Sequence, residues 1–292
     1  MRDVPITSFA GRLGFAISPW PSPFAPLLFA GRLEEGLKVA ADLGFSAVEL
    51  SLRAPSDVQP EHLASMLEDR RLRLCAIATG QACLVDSLCL SSSDPDIREA
   101  AAGRLSGAID LASRFGAAVI VGGIRGRLVG PPGEQASQRA GAVEAIRGCA
   151  VHAAERGVTL LLEPINRYET NFVNTAAQGL AVLDEIAHPS MKLLLDTFHM
   201  NIEEPSLEEA VLAAGDRLGY VHVADSNRRA PGQGHTDFAG LVSALGKIAY
   251  EGMLVAEILP LPEDAEAARL TAAFWEQIAV GQQQAAAEDG RP

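Results

Sequence analysis

The chain has 292 residues, 48% of them hydrophobic, and a formal net charge of −13 at pH 7. This length and apolar content allow a large core, and single α/β barrels commonly occupy about 250 residues. Because affinity for phosphate backbones depends on clustered Lys and Arg, an acidic chain without a basic cluster disfavours a nucleic-acid partner.

Strand-like apolar runs alternate with helical patterns along the whole chain. The predicted strands span residues 13–18, 47–52, 72–78, 117–122, 159–163, 192–196, 220–223 and 254–258. The predicted helices include residues 33–43, 62–68, 97–115, 135–155, 176–186, 207–214, 238–248 and 265–278. Eight strands alternating with eight helices predict an α/β fold, a closed (β/α)₈ TIM barrel forming one domain over residues 1–292.

Local sequence at the helix ends agrees with this alternation. Gly44, Gly116 and Gly157 directly follow helical runs, where a left-handed cap favours glycine. Asn174 and Ser206 precede helical runs and are candidate N-caps. An open, doubly wound sheet is the structural alternative, but residues of metal-ligand type on consecutive strands suit a ring better than an open row.

Four consecutive strand-like runs in the second half each end at a residue that can bind a divalent metal. These residues are Glu163, Asp196, His222 and Glu257, spaced by strand–helix–strand units of ~30 residues. Parallel strands point the same way, so the four side chains would converge at one face of the barrel. A single carboxylate there would indicate a helix cap, but burying three without a cation is costly. Oxygen ligands with one imidazole predict one divalent cation, Mn²⁺ before Mg²⁺ or Co²⁺.

Polar residues on the loops after these strands are candidates for substrate contact. Glu169 would reach over the pocket to a hydroxyl-rich ligand, or else pair with Arg167. His199 is placed to donate to a ligand oxygen, although a lone histidine is often a satisfied core residue. Arg228 is either a fixed cation over the pocket or the partner of an acidic surface residue.

The segments that carry these residues resemble a known family. EPINRYETNFVN, LLLDTFHMNIEE, HVADSNRRAPGQGH and VAEILPLP are similar to the xylose-isomerase-like barrel superfamily, in its ketose 3-epimerase branch. The resemblance extends to FAGRLEEGLKVAADLGFSAVEL, CAIATGQACLVDSLCLSSSDPDIREAA and VGGIRGR, and so covers nearly the whole chain. It is strongest to 5-keto-L-gluconate epimerases, with D-tagatose and D-psicose 3-epimerases more distant.

The resemblance implies a TIM barrel with metal ligands at Glu163, Asp196, His222 and Glu257. It further implies substrate contacts at Glu169, His199 and Arg228. The implied reaction is epimerisation at carbon 3 through an enediolate, without a redox cofactor, and Glu163 and Glu257 would exchange protons on opposite faces of that intermediate. The substrate would be a sugar or a sugar acid, and relatives of this type indicate a homodimer or homotetramer.

Other polar residues lie near the same expected face. Arg53 and Arg125 follow strands two and four, and either would bind a substrate carboxylate through bidentate hydrogen bonds. Gln81 and Asp86, in the loop after strand three, would add polar contacts or act only within the loop. Glu49, near the end of strand two, would line either the barrel or the pocket.

Several other functions share parts of this pattern. A 1,2 aldose–ketose isomerase uses the same metal chemistry, and a metal-dependent lyase of oxidised C-glycosides is a further alternative. An abasic-site DNA endonuclease would need several more histidine ligands and a basic surface, neither of which is evident. A non-catalytic sugar-binding protein is disfavoured because the set of ligands and bases is intact.

The expected location is the cytoplasm. Cys75, Cys83, Cys89 and Cys149 show no CxxC spacing, and two of them lie in apolar runs, which favours a reducing compartment. The segment MRDVPITSFAGRLGFAIS is broken by charges, Pro and Gly and is unlike a signal peptide. No apolar run approaches the ~20 residues of a membrane span, so no membrane partner is expected.

Overall fold

A computed structural model of the chain describes Phe9 and residues 11–22 and 26–289. Eight strands alternate with helices, as the periodicity predicts. The strands are β1 (Leu13–Ile17), β2 (Ala47–Ser51), β3 (Arg73–Ala78), β4 (Ala118–Val121), β5 (Leu160–Leu162), β6 (Met191–Asp196), β7 (Leu218–Val223) and β8 (Met253–Ala256).

Ten α-helices lie between or after these strands in the described part of the chain. They are α1 (Leu33–Asp42), α2 (Pro60–Asp69), α3 (Gly80–Asp86), α4 (Pro95–Ser113), α5 (Pro132–Glu155), α6 (Ala176–Ile186), α7 (Thr197–Glu203), α8 (Leu207–Ala214), α9 (Phe238–Lys247) and α10 (Asp264–Asp289). All eight predicted helices are present. Two short helices, α3 and α7, lie in stretches that carried no helix prediction, because seven residues are too few for a clear 3.6-residue period.

The eight strands form a closed ring in which every neighbouring pair is parallel. Closure comes from β1, which pairs with β2 on one side and β8 on the other. This observation confirms the predicted TIM barrel and excludes the open, doubly wound sheet. Since all strands run in the same direction, their carboxyl ends and the loops that follow meet at one face.

Apolar side chains form two separate layers around this ring. The larger cluster packs between the strands and the surrounding helices. The smaller cluster lies inside the ring, because side chains alternate between the two faces of a strand. Its fully or nearly fully buried members come from six strands and are Ala76, Ile120, Leu161, Leu194, Tyr220 and Val255. The interior of the barrel below the carboxyl-terminal face is therefore filled by packed apolar side chains.

Most of the predicted helix ends are confirmed. Gly44, Gly116 and Gly157 all adopt positive φ two or three residues after the last residue of a helix. The Ser206 side chain accepts a hydrogen bond from a backbone N–H in the first turn of α8. The Asn174 prediction is wrong by one residue. Thr175 caps α6, and the Asn174 amide donates instead to two loop carbonyls.

The cysteines differ in part from expectation. Cys83 and Cys89 form a disulfide that spans the end of α3, a bond that the expectation of a reducing compartment did not anticipate. Their spacing carries no signal because the turn that brings them together follows a helix too short to predict. Cys75 and Cys149 are not disulfide-bonded, and burial raises the pKa of the Cys75 thiol to about 12.

Two sequence-based expectations concern the chain ends and membrane spans. Half of the segment judged unlike a signal peptide, residues 1–8 and 10, lies outside the described residues. Within the described part, none of the helices combines the length and apolar character needed to cross a bilayer.

The close contact between β1 and β2 at Gly14 predicts that alanine substitutions at two glycines will change stability differently. A Cβ on Gly14 in β1 would lie 2.7 Å from the carbonyl oxygen of Ala47 in β2. We expect Gly14→Ala to lower the free energy of unfolding by about 1–3 kcal/mol, because the backbone must shift to relieve this overlap. Urea denaturation of the purified protein measures the change.

Gly103→Ala is the matched control. Gly103 is an exposed glycine within α4, and an added Cβ meets no atom within 4 Å. We expect this substitution to raise the free energy of unfolding by about 0.5–1 kcal/mol, since alanine loses less conformational entropy in a helix. Equal effects of the two substitutions would contradict the assignment of strain to the β1–β2 contact.

Candidate metal centre and active site

The structure brings the four predicted metal ligands together at the carboxyl-terminal face of the barrel. Glu163 directly follows β5, Asp196 ends β6, His222 lies in β7 and Glu257 directly follows β8. One ligand atom from each residue lies within 4.8 Å of the others. Three of the four residues are buried, and Glu257 is half-buried. The convergence predicted from strand direction is therefore observed.

The His222 ring is oriented by a carboxylate inside the barrel. Its Nε2 lies 2.8 Å from Glu49 Oε2, and the Tyr220 hydroxyl donates to the same oxygen over 2.9 Å. The opposite ring nitrogen, Nδ1, is buried without a hydrogen-bond partner among the described residues. It lies 3.4 Å from Glu163, 3.7 Å from Asp196 and 3.7 Å from Glu257, measured to carboxylate oxygens. With Nε2–H donated to Glu49, Nδ1 is the ring nitrogen that faces the three carboxylates, and it is the nitrogen that would bind a metal among them.

The electrostatics of this cluster fit a bound cation. Burial raises the pKa of Glu257 to about 8, with added repulsion from Glu163 and Asp196 and opposing attraction from Arg228. Burial also acts to raise the pKa of Asp196, but Arg228 and the neighbouring imidazoles outweigh it and hold that pKa below its ordinary value. Crowded carboxylates and an unpartnered imidazole nitrogen form a donor set suited to a divalent metal. All four residues fit this role.

Glu163 is held in place by its neighbours on β4 and the following turn. Gly122 has no Cβ, and an added Cβ would overlap Glu163 Oε2. Arg125 Nη1 donates to the Glu163 backbone carbonyl over 2.5 Å. The carboxylate therefore occupies the space that a larger residue at position 122 would fill. The need for glycine at position 122 could not be predicted from the sequence, because one glycine at a strand end carries no distinctive signal.

Arg125 is a structural residue, which contradicts its prediction as a carboxylate-binding group. Its side chain is 1% exposed, and its guanidinium donates to four backbone carbonyls, those of Val121, Glu163, Phe172 and Val173. Burial lowers the pKa of Arg125 to about 10. These hydrogen bonds join the loops after β4 and β5, and they engage the donors that a substrate carboxylate would require.

Arg53 and Gln81 also have internal partners instead of the predicted substrate contacts. Arg53 Nη2 donates to Asp86 over 2.7 Å, and Asp86 accepts a second hydrogen bond from Arg104. The Gln81 amide donates to Ser51. Neither Arg53 nor Gln81 is among the described residues that line the cavity above the metal ligands. The sequence correctly predicted that both residues follow strands at the carboxyl-terminal face. The directions of their side chains depend on partners distant in sequence.

Asn166 connects two predicted substrate contacts. Its amide nitrogen lies 2.8 Å from Glu169 Oε1 and 2.9 Å from His199 Nδ1. Because this amide can only donate, His199 Nδ1 accepts, and Nε2 carries the proton of the neutral ring. Burial lowers the pKa of His199, which favours that neutral form. The alternative pairing of Glu169 with Arg167 is wrong, since Arg167 pairs with Glu203.

Arg228 lies across the cluster and pairs with two of the predicted ligands. Its guanidinium donates to Asp196 over 2.5 Å and to Glu257. The guanidinium carbon lies 4.8 Å above the centre of the Phe198 ring, a cation–π arrangement. Its backbone has a φ of +62°, a conformation uncommon for a residue with a side chain. Arg228 is therefore bound within the site, and its alternative role at the surface is excluded.

A cavity of about 790 Å³ opens above the cluster. Its size falls within the usual range of about 300–1,000 Å³ for small-molecule sites. Residues from several loops line it together with three of the four cluster residues, among them Glu163, Glu169, His199, His222, Arg228 and Glu257. The three predicted substrate contacts on the later loops therefore face the same space as the metal ligands.

Comparisons with known proteins agree with this geometry. The profile of the family described as xylose isomerase-like TIM barrel matches residues 37–277. L-ribulose 3-epimerase of Methylomonas sp. (strain DH-1) is 39% identical over 219 residues, covering 75% of each chain. Ketose 3-epimerase of Arthrobacter globiformis is 33% identical over 239 residues, covering 79% of this chain and 81% of that protein. A solved L-ribulose 3-epimerase superposes with a TM-score of 0.81 at 30% identity, covering 96% and 98% of the two chains.

The hydrogen bond between Glu49 and His222 predicts an effect on metal affinity. Glu49→Gln keeps an oxygen that accepts from His222 Nε2 but removes the buried negative charge. We expect Mn²⁺ affinity to fall by roughly 10- to 100-fold, as for other groups that orient a histidine ligand. Calorimetric titration of metal-free protein with Mn²⁺ measures the change.

Glu34→Gln is the control, because it removes the same charge from an exposed position in α1. It should leave Mn²⁺ affinity unchanged. If Glu49→Gln binds Mn²⁺ as tightly as this control, then Glu49 does not tune the histidine.

Proposed function

The chain belongs to the xylose isomerase-like TIM barrel family, and we propose that it is a divalent-metal-dependent epimerase acting at carbon 3 of a ketose. The observation that carries this proposal is the cluster of Glu163, Asp196, His222 and Glu257 around the unpartnered His222 Nδ1. The relatives compared above are 3-epimerases of L-ribulose and other ketoses, which supports inversion at carbon 3. The finer substrate class that the sequence resemblance supports is a keto-sugar acid of the 5-keto-L-gluconate or D-tagaturonate type.

The proposed metal would be held by all four clustered residues. A divalent cation in this position supplies Lewis-acid stabilisation of the negative charge that develops on the ketose oxygens when carbon 3 loses its proton. Mn²⁺ is the first choice among hard and borderline cations, because three carboxylate oxygens and one imidazole nitrogen form the donor set.

Two carboxylates of the cluster are proposed to move the proton. Glu163 follows β5 and Glu257 follows β8, so they approach the cavity from different parts of the ring. One would remove the carbon-3 proton, and the other would return a proton to the opposite face of the planar enediolate. Both residues line the cavity, as this role requires.

The loop residues are proposed to orient the sugar and to stabilise the enediolate. His199 presents Nε2–H because its Nδ1 accepts from Asn166, so it can donate to a developing oxyanion. Arg228 supplies a fixed positive charge beside Asp196 and Glu257. Glu169, held by Asn166 at the cavity wall, would accept hydrogen bonds from sugar hydroxyls.

The alternative functions are less well supported. Isomerisation between carbons 1 and 2 and elimination remain outcomes that a product analysis would distinguish. A solved chain described as an AP endonuclease of family 2 from Brucella melitensis has 19% identity, which indicates a shared fold only. The net charge of −13 opposes DNA binding. A cytoplasmic location and a dimeric or tetrameric state stay predictions.

Solvent isotope exchange tests the two-base mechanism. We expect Glu163→Gln and Glu257→Gln each to lower epimerisation by about 10²- to 10⁴-fold, because each removes one acid–base group. Each variant should still exchange the carbon-3 proton of one epimer with D₂O, and the two variants should act on opposite epimers. Proton NMR of both ketose epimers in D₂O measures the exchange.

Metal analysis of the same variants provides the control, since each must retain its divalent cation for the comparison to be valid. Glu34→Gln should epimerise like the unaltered protein. Exchange by both variants on the same epimer would contradict the two-base proposal.

Chelation tests the proposed metal requirement. Removing divalent cations with a chelator should abolish epimerisation, because the enediolate charge then lacks its stabilising cation. Adding Mn²⁺ should restore activity more fully than adding Mg²⁺. Full activity in a preparation shown by elemental analysis to lack divalent metals would contradict the proposal.

A further inference from the structure

Arg127 differs from the other arginines around the cavity. It lies between the turn Gly123–Arg125 and α5, and its exposed side chain lines the same cavity as Glu163 and Glu257. Within the described part of the chain, its guanidinium has neither an ion-pair nor a hydrogen-bond partner, whereas Arg125 and Arg228 are fully engaged. Arg127 is thus an uncompensated cation at the wall of an acidic cavity.

The backbone around Arg127 is held firmly although its side chain is not. Ser91 Oγ donates to the Arg127 carbonyl over 2.9 Å, and Thr170 Oγ1 donates to the preceding carbonyl over 2.9 Å. The Asn171 side chain accepts from Leu128 N over 2.9 Å and donates to Leu128 O over 3.0 Å. These contacts determine where the Arg127 side chain begins. They leave its guanidinium available to a molecule in the cavity.

We propose that Arg127 binds a carboxylate at carbon 6 of the ketose, at the opposite end from the carbons held at the metal centre. The assignment rests on the proposed epimerase function, and it adds the residue that would recognise a keto-sugar acid. An acidic sugar entering this cavity meets Glu163, Glu169 and Glu257, and the net charge of −13 adds to the repulsion. The positive charge of Arg127 at the cavity wall offsets that repulsion and makes the acid a better substrate than the neutral sugar.

The local chemistry favours a carboxylate over a phosphate. A single guanidinium forms a two-point hydrogen bond that matches a carboxylate. Phosphate sites usually add several backbone N–H groups at a helix N-terminus. The helix that follows Arg127, α5, begins at Pro132, which has no N–H, and has Glu134 in its first turn.

Three sugars that differ only at carbon 6 test the assignment. They are D-tagatose, D-tagaturonate and D-tagatose 6-phosphate, assayed with Mn²⁺-loaded protein. We expect Arg127→Gln to lower kcat/KM for D-tagaturonate by roughly 10- to 100-fold, mainly through KM, as for loss of a charged hydrogen bond. The value for D-tagatose should change by less than about 3-fold, and Arg127→Lys should recover part of the lost activity.

Arg139→Gln is the matched control. Arg139 is an arginine of α5 that pairs with Glu185 of α6, so its loss changes the net charge equally without touching the cavity. It should leave the preference between the three sugars unchanged. If Arg139→Gln changes the preference among the three sugars as much as Arg127→Gln does, the change in net charge alone explains the effect. That result would overturn the assignment.

Two further results would overturn the role of Arg127. One is an equal loss for D-tagatose and D-tagaturonate in Arg127→Gln, and the other is a larger loss for the 6-phosphate than for the uronate. Calorimetric titration of the unaltered protein and of Arg127→Gln with D-tagaturonate tests the contact between Arg127 and the carboxylate independently of turnover. If no sugar exchanges its carbon-3 proton while Arg127→Gln still weakens uronate binding, the proposed reaction fails and the carboxylate site stands.

Discussion

The hydrogen bond between His222 and Glu49 determines how the centre of this site is arranged. Glu49 lies inside the barrel on β2, and its carboxylate can only accept from His222 Nε2. The opposite nitrogen is therefore directed at the three carboxylates that end or follow β5, β6 and β8. Without this bond, the ring could adopt either tautomer, and a buried negative charge on Glu49 would lack its imidazole partner.

Holding three carboxylates close together is costly in a buried site, and several groups in the structure offset that cost. Arg228 pairs with Asp196 and Glu257, and its guanidinium rests on the Phe198 ring. Asp196 contributes in two ways, because one oxygen caps α7 while the other faces the cluster. The helix-capping interpretation and the metal-ligand interpretation of this residue are therefore compatible, since its two oxygens have different partners.

Two kinds of chemical groups line the cavity. At the barrel end, hard oxygen donors and one imidazole suit a divalent cation and the proton transfers beside it. At the wall formed by the β4–α5 loop, Arg127 has a well-held backbone and a guanidinium without a partner among the residues that the structure describes. The Asn166 amide contacts both His199 and Glu169 and keeps these two lining residues in one orientation. The proposed metal centre and the proposed carboxylate contact of Arg127 would therefore lie in one cavity.

The barrel and the convergence of the four ligands could be predicted from the sequence alone, because alternating periodicity implies parallel strands whose carboxyl ends share one face. The sequence did not determine the direction of side chains on loops. Arg53 and Arg125 had the right position and charge for carboxylate recognition, yet Arg53 pairs with Asp86 and Arg125 donates to four backbone carbonyls, three of them distant in sequence. Two features follow only from the three-dimensional packing: which cavity arginine has no partner among the described residues, and which nitrogen of His222 faces the ligands. Both depend on contacts between residues far apart in the chain, which no local pattern encodes.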